Sequence, residues 1–165
     1  MPLSRCARTY LVDELVELVG RGLVKGRGRG RVLITTEPIS FYGGIDPETG
    51  RIVERGHELY GESVSGSVLV FPYGKGSTVG SYTLLRLARR GLAPAGIVNA
   101  ESEPIIVVGC LLGGIPLMDR PTPDPFSLKG IINGLEAEIV IEGCKGVLRV
   151  QRDARGSQRA REGSA

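Results

Sequence analysis

Tryptophan is absent, and three phenylalanines stand against 25 glycines and 10 prolines in the 165 residues. A chain so poor in bulky aromatics and so rich in turn formers must reverse direction often and bring its backbone close to other groups. Many short strands joined by tight loops are expected. Cysteine is scarce as well: Cys6, Cys110 and Cys144 lie far apart and form no C-x-x-C pair, so neither a disulfide framework nor a metal site within this chain is expected. Cys110 ends an apolar run and Cys144 lies among glycines, and both are expected to be buried, reduced thiols. No apolar run reaches the roughly 18 residues that a membrane-spanning helix needs. The N-terminus also lacks the apolar segment and cleavage site of a signal peptide, so a cytoplasmic chain without a membrane partner is expected. The net charge is only +3. Its basic residues are spread from Arg5 to Arg161 without an interleaved aromatic stripe, which argues against a nucleic-acid partner.

What is present reads as one domain, since a chain of this length buries roughly 70% of the surface its unfolded form exposes. Residues 9–19 (TYLVDELVELV) place Leu11, Leu15 and Leu18, with Val12, Val16 and Val19, at helical spacing, and Gly20 is a natural stop. Residues 1–21 are therefore expected to form a helical extension, followed by a Gly/Arg-rich joint (GRGLVKGRGRG) over 20–30. The main domain, 22–152, carries strand patterns from Arg31 (RVLITT) and over 51–53, 67–71, 95–99, 105–110, 136–142 and 147–151. One amphipathic helix is expected over 81–90, with Leu84, Leu85 and Leu87 opposite arginines. Strand, helix and strand in succession imply a parallel crossover and an α/β fold with a mixed sheet and few helices. Residues 153–165 are polar, without apolar period, and are expected to be a mobile tail.

The segment that carries chemistry is Gly74-Lys75-Gly76-Ser77-Thr78-Val79-Gly80-Ser81, between a strand and a helix start. The first turn of a helix has unsatisfied N–H groups and a partial positive charge, so it attracts anions and stabilises a hydroxyl that loses its proton. Serine is too weak an acid to serve as a base unaided, and Lys75 is the nearest cation. A phosphate-binding P-loop ends G-K-[ST]; here Gly76 separates Lys75 from Ser77, which excludes that reading. A second loop, Glu37-Pro38-Ile39-Ser40, delivers a carboxylate and a hydroxyl just after a strand. His57 lies in a polar stretch and is expected at the surface, and Asn99, Glu101 and Glu103 on an exposed acidic loop. Asp119 and Arg120 are expected to form a surface ion pair or to meet an anionic substrate.

Taken together, TTEPISFYGG, LVFPYGKGSTVGSY and IVNAESEPI resemble the small, swivelling-domain subunit of the aconitase X family, most closely its archaeal phosphomevalonate-dehydrating branch. The resemblance spans residues 22–151. It implies the β/β/α swivel fold of aconitases and a hydro-lyase active only with a large subunit. The reaction it implies is dehydration of (R)-5-phosphomevalonate to trans-anhydromevalonate 5-phosphate, in an archaeal mevalonate pathway to isoprenoids. Gly76-Ser77-Thr78 is similar to the family's G-S-S turn, which implies that Ser77 is the base, with Lys75, Gly76 and Thr78 beside the substrate. Thr36-Glu37-Pro38-Ile39-Ser40 is similar to its T-D-H-I-S segment and implies supporting roles for Glu37 and Ser40. The family's arginine two positions after the serine is Val79 here, and Pro38 replaces the histidine of the second motif. The resemblance also implies a four-iron four-sulfur cluster, bound by the large subunit because this chain has too few cysteines to cradle one. Two alternatives stay open: the small subunit of a cis-3-hydroxyproline dehydratase, and a non-catalytic anion-binding or assembly module.

Overall fold

The computed structural model describes residues 15–151. In chain order its strands are β1 (Leu15–Val24), β2 (Gly26–Ile34), β3 (Ile39–Ser40), β4 (Val68–Phe71), β5 (Gly74–Lys75), β6 (Gly96–Asn99), β7 (Leu117–Thr122), β8 (Glu136–Glu142) and β9 (Lys145–Gln151). Two helices, α1 (Gly80–Arg89) and α2 (Pro104–Gly113), follow β5 and β6, and a short α3 (Lys129–Ile132) precedes β8. Strands in the order β1-β7-β6-β4-β2-β8-β9 close into a barrel, with β9 pairing back onto β1. Within it β2, β4, β6 and β7 are parallel, whereas β1, β8 and β9 join by antiparallel ladders.

The side-chain pattern explains this mixture. Every residue of β4 and β6 is buried, because Val68, Val70 and Val98 join the cluster inside the barrel while Leu69, Phe71 and Ile97 pack outward with Leu84, Leu87 and Ile106 of the helices. Continuous apolar runs are what parallel strands covered on both faces require. In β8 and β9 the pattern alternates, with Ala137, Ile139, Ile141, Leu148 and Val150 buried, as antiparallel strands with one wet face demand. Ile132 of α3 plugs the interior.

Several expectations are corrected. Of the helix expected over 9–19, the described end, from Leu15, is strand β1, in register with β9 from Leu15↔Gln151 to Arg21↔Lys145; residues 1–14 lie outside the described part. Helical spacing gave way to a pairing that buries Leu18 completely. The Gly/Arg joint over 20–30 is the end of β1, the corner at Lys25 and the start of β2, and the expected boundary at residue 22 falls within β1. In β2 a Cβ on Gly28 or Gly30 would come within 2.0 Å of the Ala95 or Gly66 carbonyl oxygen, so glycine lets other backbone cross there. The alternating Arg27 and Arg31 point outward to Glu138 and Glu136, at 3.7 and 3.6 Å.

The strand expected over 105–110 is helix α2. Glu103 accepts from the Ile105 and Ile106 N–H groups, Pro104 occupies the first turn and Gly114 closes the helix in the left-handed region. Start and stop signals outweighed the β-branched run. Of the strand expected over 51–53, only Arg51 and Ile52 pair, in the isolated bridges Arg51↔Ser63 and Ile45↔Ile52. Cys110 is buried, and burial pushes its thiol well above the usual range; Cys144 is exposed, at the turn between β8 and β9. The tail expected over 153–165 lies outside the described residues.

Candidate active site

The parallel strands β2, β4, β6 and β7 all end on one edge of the barrel, the side on which parallel sheets place ligands. The segments that leave β2, β4 and β6, 35–40, 72–79 and 100–103, together with residues 119–120 within β7, bring the candidate residues together. Ser77 is exposed there, on the loop between β5 and α1. Its Oγ accepts the Val79 N–H at 3.2 Å, and its carbonyl accepts the Gly80 N–H at 2.9 Å. Helix α1 begins after Val79 with no side-chain cap, so Ser77 is not spent capping it. The Ser77 and Thr78 N–H groups donate to no protein acceptor among the described residues. An oxyanion at this turn therefore meets one aimed donor, free amides and the positive end of α1. Thr78 is exposed beside it and its carbonyl accepts the Ser81 hydroxyl at 2.9 Å.

The two sequence motifs lie side by side. β3 pairs with β5 in parallel, Ile39↔Gly74 and Ser40↔Lys75. Gly76 has φ +92°, and a Cβ there would lie 2.7 Å from Ser40 Oγ, so the turn before Ser77 accepts only glycine. The Ser40 hydroxyl donates to the Tyr42 carbonyl at 2.9 Å. Glu37 is half-buried and accepts the Glu58 N–H at 2.7 Å. Lys75 is drawn away from the serine: its Nζ donates to Glu54 Oε1 at 2.8 Å, and that carboxylate, more than Glu37 or Tyr73, raises the ammonium above its ordinary value.

Sequence reasoning missed several residues of this edge. His57, expected at the surface, is buried: its Nδ1 accepts the Leu59 N–H at 3.0 Å, so Nε2 donates to the Pro38 carbonyl at 3.2 Å and pins the Glu37–Ser40 segment. Asn99 is fully buried; its amide donates to the Phe71 carbonyl and its Oδ1 accepts the Ser102 hydroxyl. Asp119, the expected surface ion-pair partner of Arg120, is also fully buried and pairs instead with Arg21, whose Nε and Nη2 donate to its two oxygens at 2.8 Å each. Burial would raise the Asp119 carboxyl, but Arg21 and the Ser102 N–H outweigh it and hold the carboxyl below its ordinary value. Glu103 is the cap of α2. The one signal available for these residues was position, since Asn99 ends β6, Thr35 follows β2 and Asp119 faces Asn99 where the parallel pairing of β6 and β7 ends.

No three His, Cys, Asp or Glu side chains converge to hold a metal among the described residues. With Cys110 on the buried face of α2 and Cys144 at a hairpin turn, the described residues offer no thiolate cradle and do not fit an iron–sulfur cluster. A groove of about 740 Å³ runs beside β2, lined by Arg31, Glu58, Lys129, Asn133 and Glu136 among others, but it includes no residue of the serine loop. The convergent donors lie at the strand ends, and the site is placed there.

A closed mixed barrel, two helices on one side and an exposed serine turn at the strand-end edge define a swivel-type domain. Residues 17–150 match the family model of the aconitase X swivel domain, and the chain belongs to that family. It is 59% identical over 120 residues to the phosphomevalonate dehydratase small subunit of Methanopyrus kandleri, covering 73% of this chain and 80% of that one. With the protein of the same name from Methanothermobacter thermautotrophicus the identity is 46% over 124 residues, covering 75% and 93%. The crystal structure of Thermococcus kodakaraensis aconitase X in its holo-form superposes with a TM-score of 0.72 at 34% identity, covering 81% of this chain and 98% of that one.

Proposed function

We propose that this chain is the small subunit of a phosphomevalonate dehydratase, a hydro-lyase that works with a large subunit, and that Ser77 is its proton-accepting base. The observation that carries the base assignment is the exposure of Ser77 at the strand-end edge, beside free amides and the start of α1. The substrate assignment is supported by the relatives that bear that name.

In this reading Ser77 Oγ takes the proton from the carbon next to the substrate carboxylate. The electron pair left behind forms the double bond as the bond from the adjacent carbon to its hydroxyl breaks, and the departing hydroxide takes a proton from solvent to leave as water. The Val79 N–H and the positive end of α1 stabilise the alkoxide that the step requires. Gly76 keeps the approach to Ser77 free of a side chain, and the Glu37–Ser40 segment, held by His57 and Glu58, backs the loop. Lys75 contributes to anion binding only by leaving Glu54. The iron–sulfur cluster implied by the family is assigned to the large subunit, since the described residues do not fit it.

The test is Ser77→Ala in the reconstituted two-subunit complex. Removal of a catalytic base lowers kcat by about 10²–10⁴-fold, with subunit association and iron content unchanged. Full turnover in that variant, or loss of association in place of turnover, overturns the assignment. The same complex is assayed with cis-3-hydroxyproline, on which no turnover is expected.

A further inference from the structure

With Val79 at the position of the family's arginine and Lys75 answered by Glu54, the anionic ends of the substrate need other partners. Two arginines converge farther along the edge. Arg120 Nε and Nη2 donate to Glu101 Oε2 and Oε1 at 3.0 and 2.9 Å, and Arg21 Nη2 lies 3.9 Å from the same Oε1. Arg21 is aimed from behind by buried Asp119, which the Ser102 N–H also holds at 2.9 Å. Arg120 is aimed by its backbone: at φ +51° it is the one non-glycine residue with positive φ among those described, a conformation that is costly for any residue with a Cβ. The Glu101 pair does not repay that cost, because the Arg120 and Glu101 side chains are 58% and 62% exposed and exposed ion pairs contribute little. Strain that stability does not account for points to use.

We propose that Arg120, with Arg21 behind it, is the subsite for the substrate's phosphate, and that Glu101 is a placeholder occupying the guanidinium fork until the phosphate arrives. The proposal rests on the dehydratase reading. There the carboxylate end lies at Ser77, on the turn after β5, which the chain reaches from the end of β4, whereas Arg120 belongs to β7, two strands along from β4 in the order β4-β6-β7. At about 4.8 Å per strand this offset suits an extended five-carbon phosphate ester with a hydrogen bond at each end. The Glu101 backbone stays on the Pro72 carbonyl while its exposed side chain swings to solvent. A doubly charged phosphate suits the Arg120 fork better than one carboxylate does, with the charge of Arg21, whose own fork stays on Asp119, close behind.

The experiment uses the two-subunit complex, with inorganic phosphate and unphosphorylated mevalonate as competing probes. In Arg120→Ala, KM for phosphomevalonate rises about tenfold or more while kcat changes by less than about threefold, as loss of a binding contact remote from the reacting carbon requires. Inhibition by phosphate weakens in parallel, and inhibition by mevalonate does not. Arg120→Gly suits the positive φ, folds at least as well as the parent and gives the same loss, which separates binding from misfolding. Glu101→Gln moves the other way: with the competing carboxylate neutralised, KM and the phosphate inhibition constant fall about two- to threefold. Unchanged phosphate inhibition in Arg120→Ala, or a rise of KM in Glu101→Gln, overturns the proposal. Broadening of the phosphorus resonance of inorganic phosphate by the complex, lost in Arg120→Gly, tests the subsite without turnover. A parent complex that binds phosphate in this way but does not dehydrate phosphomevalonate overturns the dehydratase reading and leaves the subsite standing.

Discussion

The barrel interior and the strand-end edge are built from the same strands by different means. Inside, Leu18, Val32, Val70, Ile139 and Leu148 meet in one apolar cluster, and stability follows from apolar area removed from water. A few residues along the chain, Thr35 just after β2, Asn99 at the end of β6 and Asp119 opposite it in β7 are buried, each committed to directed hydrogen bonds. Burying such groups yields little net stability and a great deal of geometry. The wall tolerates any aliphatic filling of the right volume, whereas the edge accepts one arrangement.

Substitutions can break or sharpen that contrast. The largest expected effect is that of Ser77→Ala, about 10³-fold in kcat, with a thermal midpoint like the parent's; a large drop in that midpoint would make Ser77 part of the wall. Ile139→Ala, on the completely buried Ile139, is expected to cost about 2–5 kcal/mol in denaturant unfolding while the folded fraction keeps its KM. Asp119→Ala tests whether an edge residue also bears stability: removing a buried, charge-assisted partner is expected to cost about 2 kcal/mol. Its pH signature follows from a carboxyl lowered on folding. That contribution is full above the unfolded value of about 3.9 and disappears as pH falls through the lower folded value, so Asp119→Asn flattens the acid limb of the stability curve. The smallest effect is that of Glu103→Ala, about 1 kcal/mol through loss of the α2 cap, read in the same unfolding assay.

Much of the wall was legible because its signals are local and periodic. β4, β6, β8 and β9 and helix α1 all stand close to their expected places, and the serine turn lies between a strand and a helix start as its pattern indicates. α2 was misread because IIVVGC is apolar on every side, so periodicity could not separate a buried strand from a buried helix; its cap and its stop lie outside the run. β1 was misread because its leucines and valines stand at helical spacing, and β2 was legible from Arg31 but not over 26–30, because glycine is a poor strand former and nothing near Gly28 or Gly30 in sequence announces the backbone that crosses them. At the edge, the serine and Glu37–Ser40 motifs were legible one by one. Their pairing was not, since Ile39 and Gly74 meet only through β3 and β5.

The residues in order were enough to establish the fold class, the family and the serine to suspect, because periodicity, caps and motif spacing act over a few neighbouring positions. Where the charges go was settled by the folded chain alone. That Lys75 turns to Glu54, that Asp119 is sealed beneath Arg21 and that His57 is buried under Pro38 are consequences of strands from distant parts of the chain ending at one edge. Burial and electrostatic partnership depend on what arrives from elsewhere, and no local pattern carries that information.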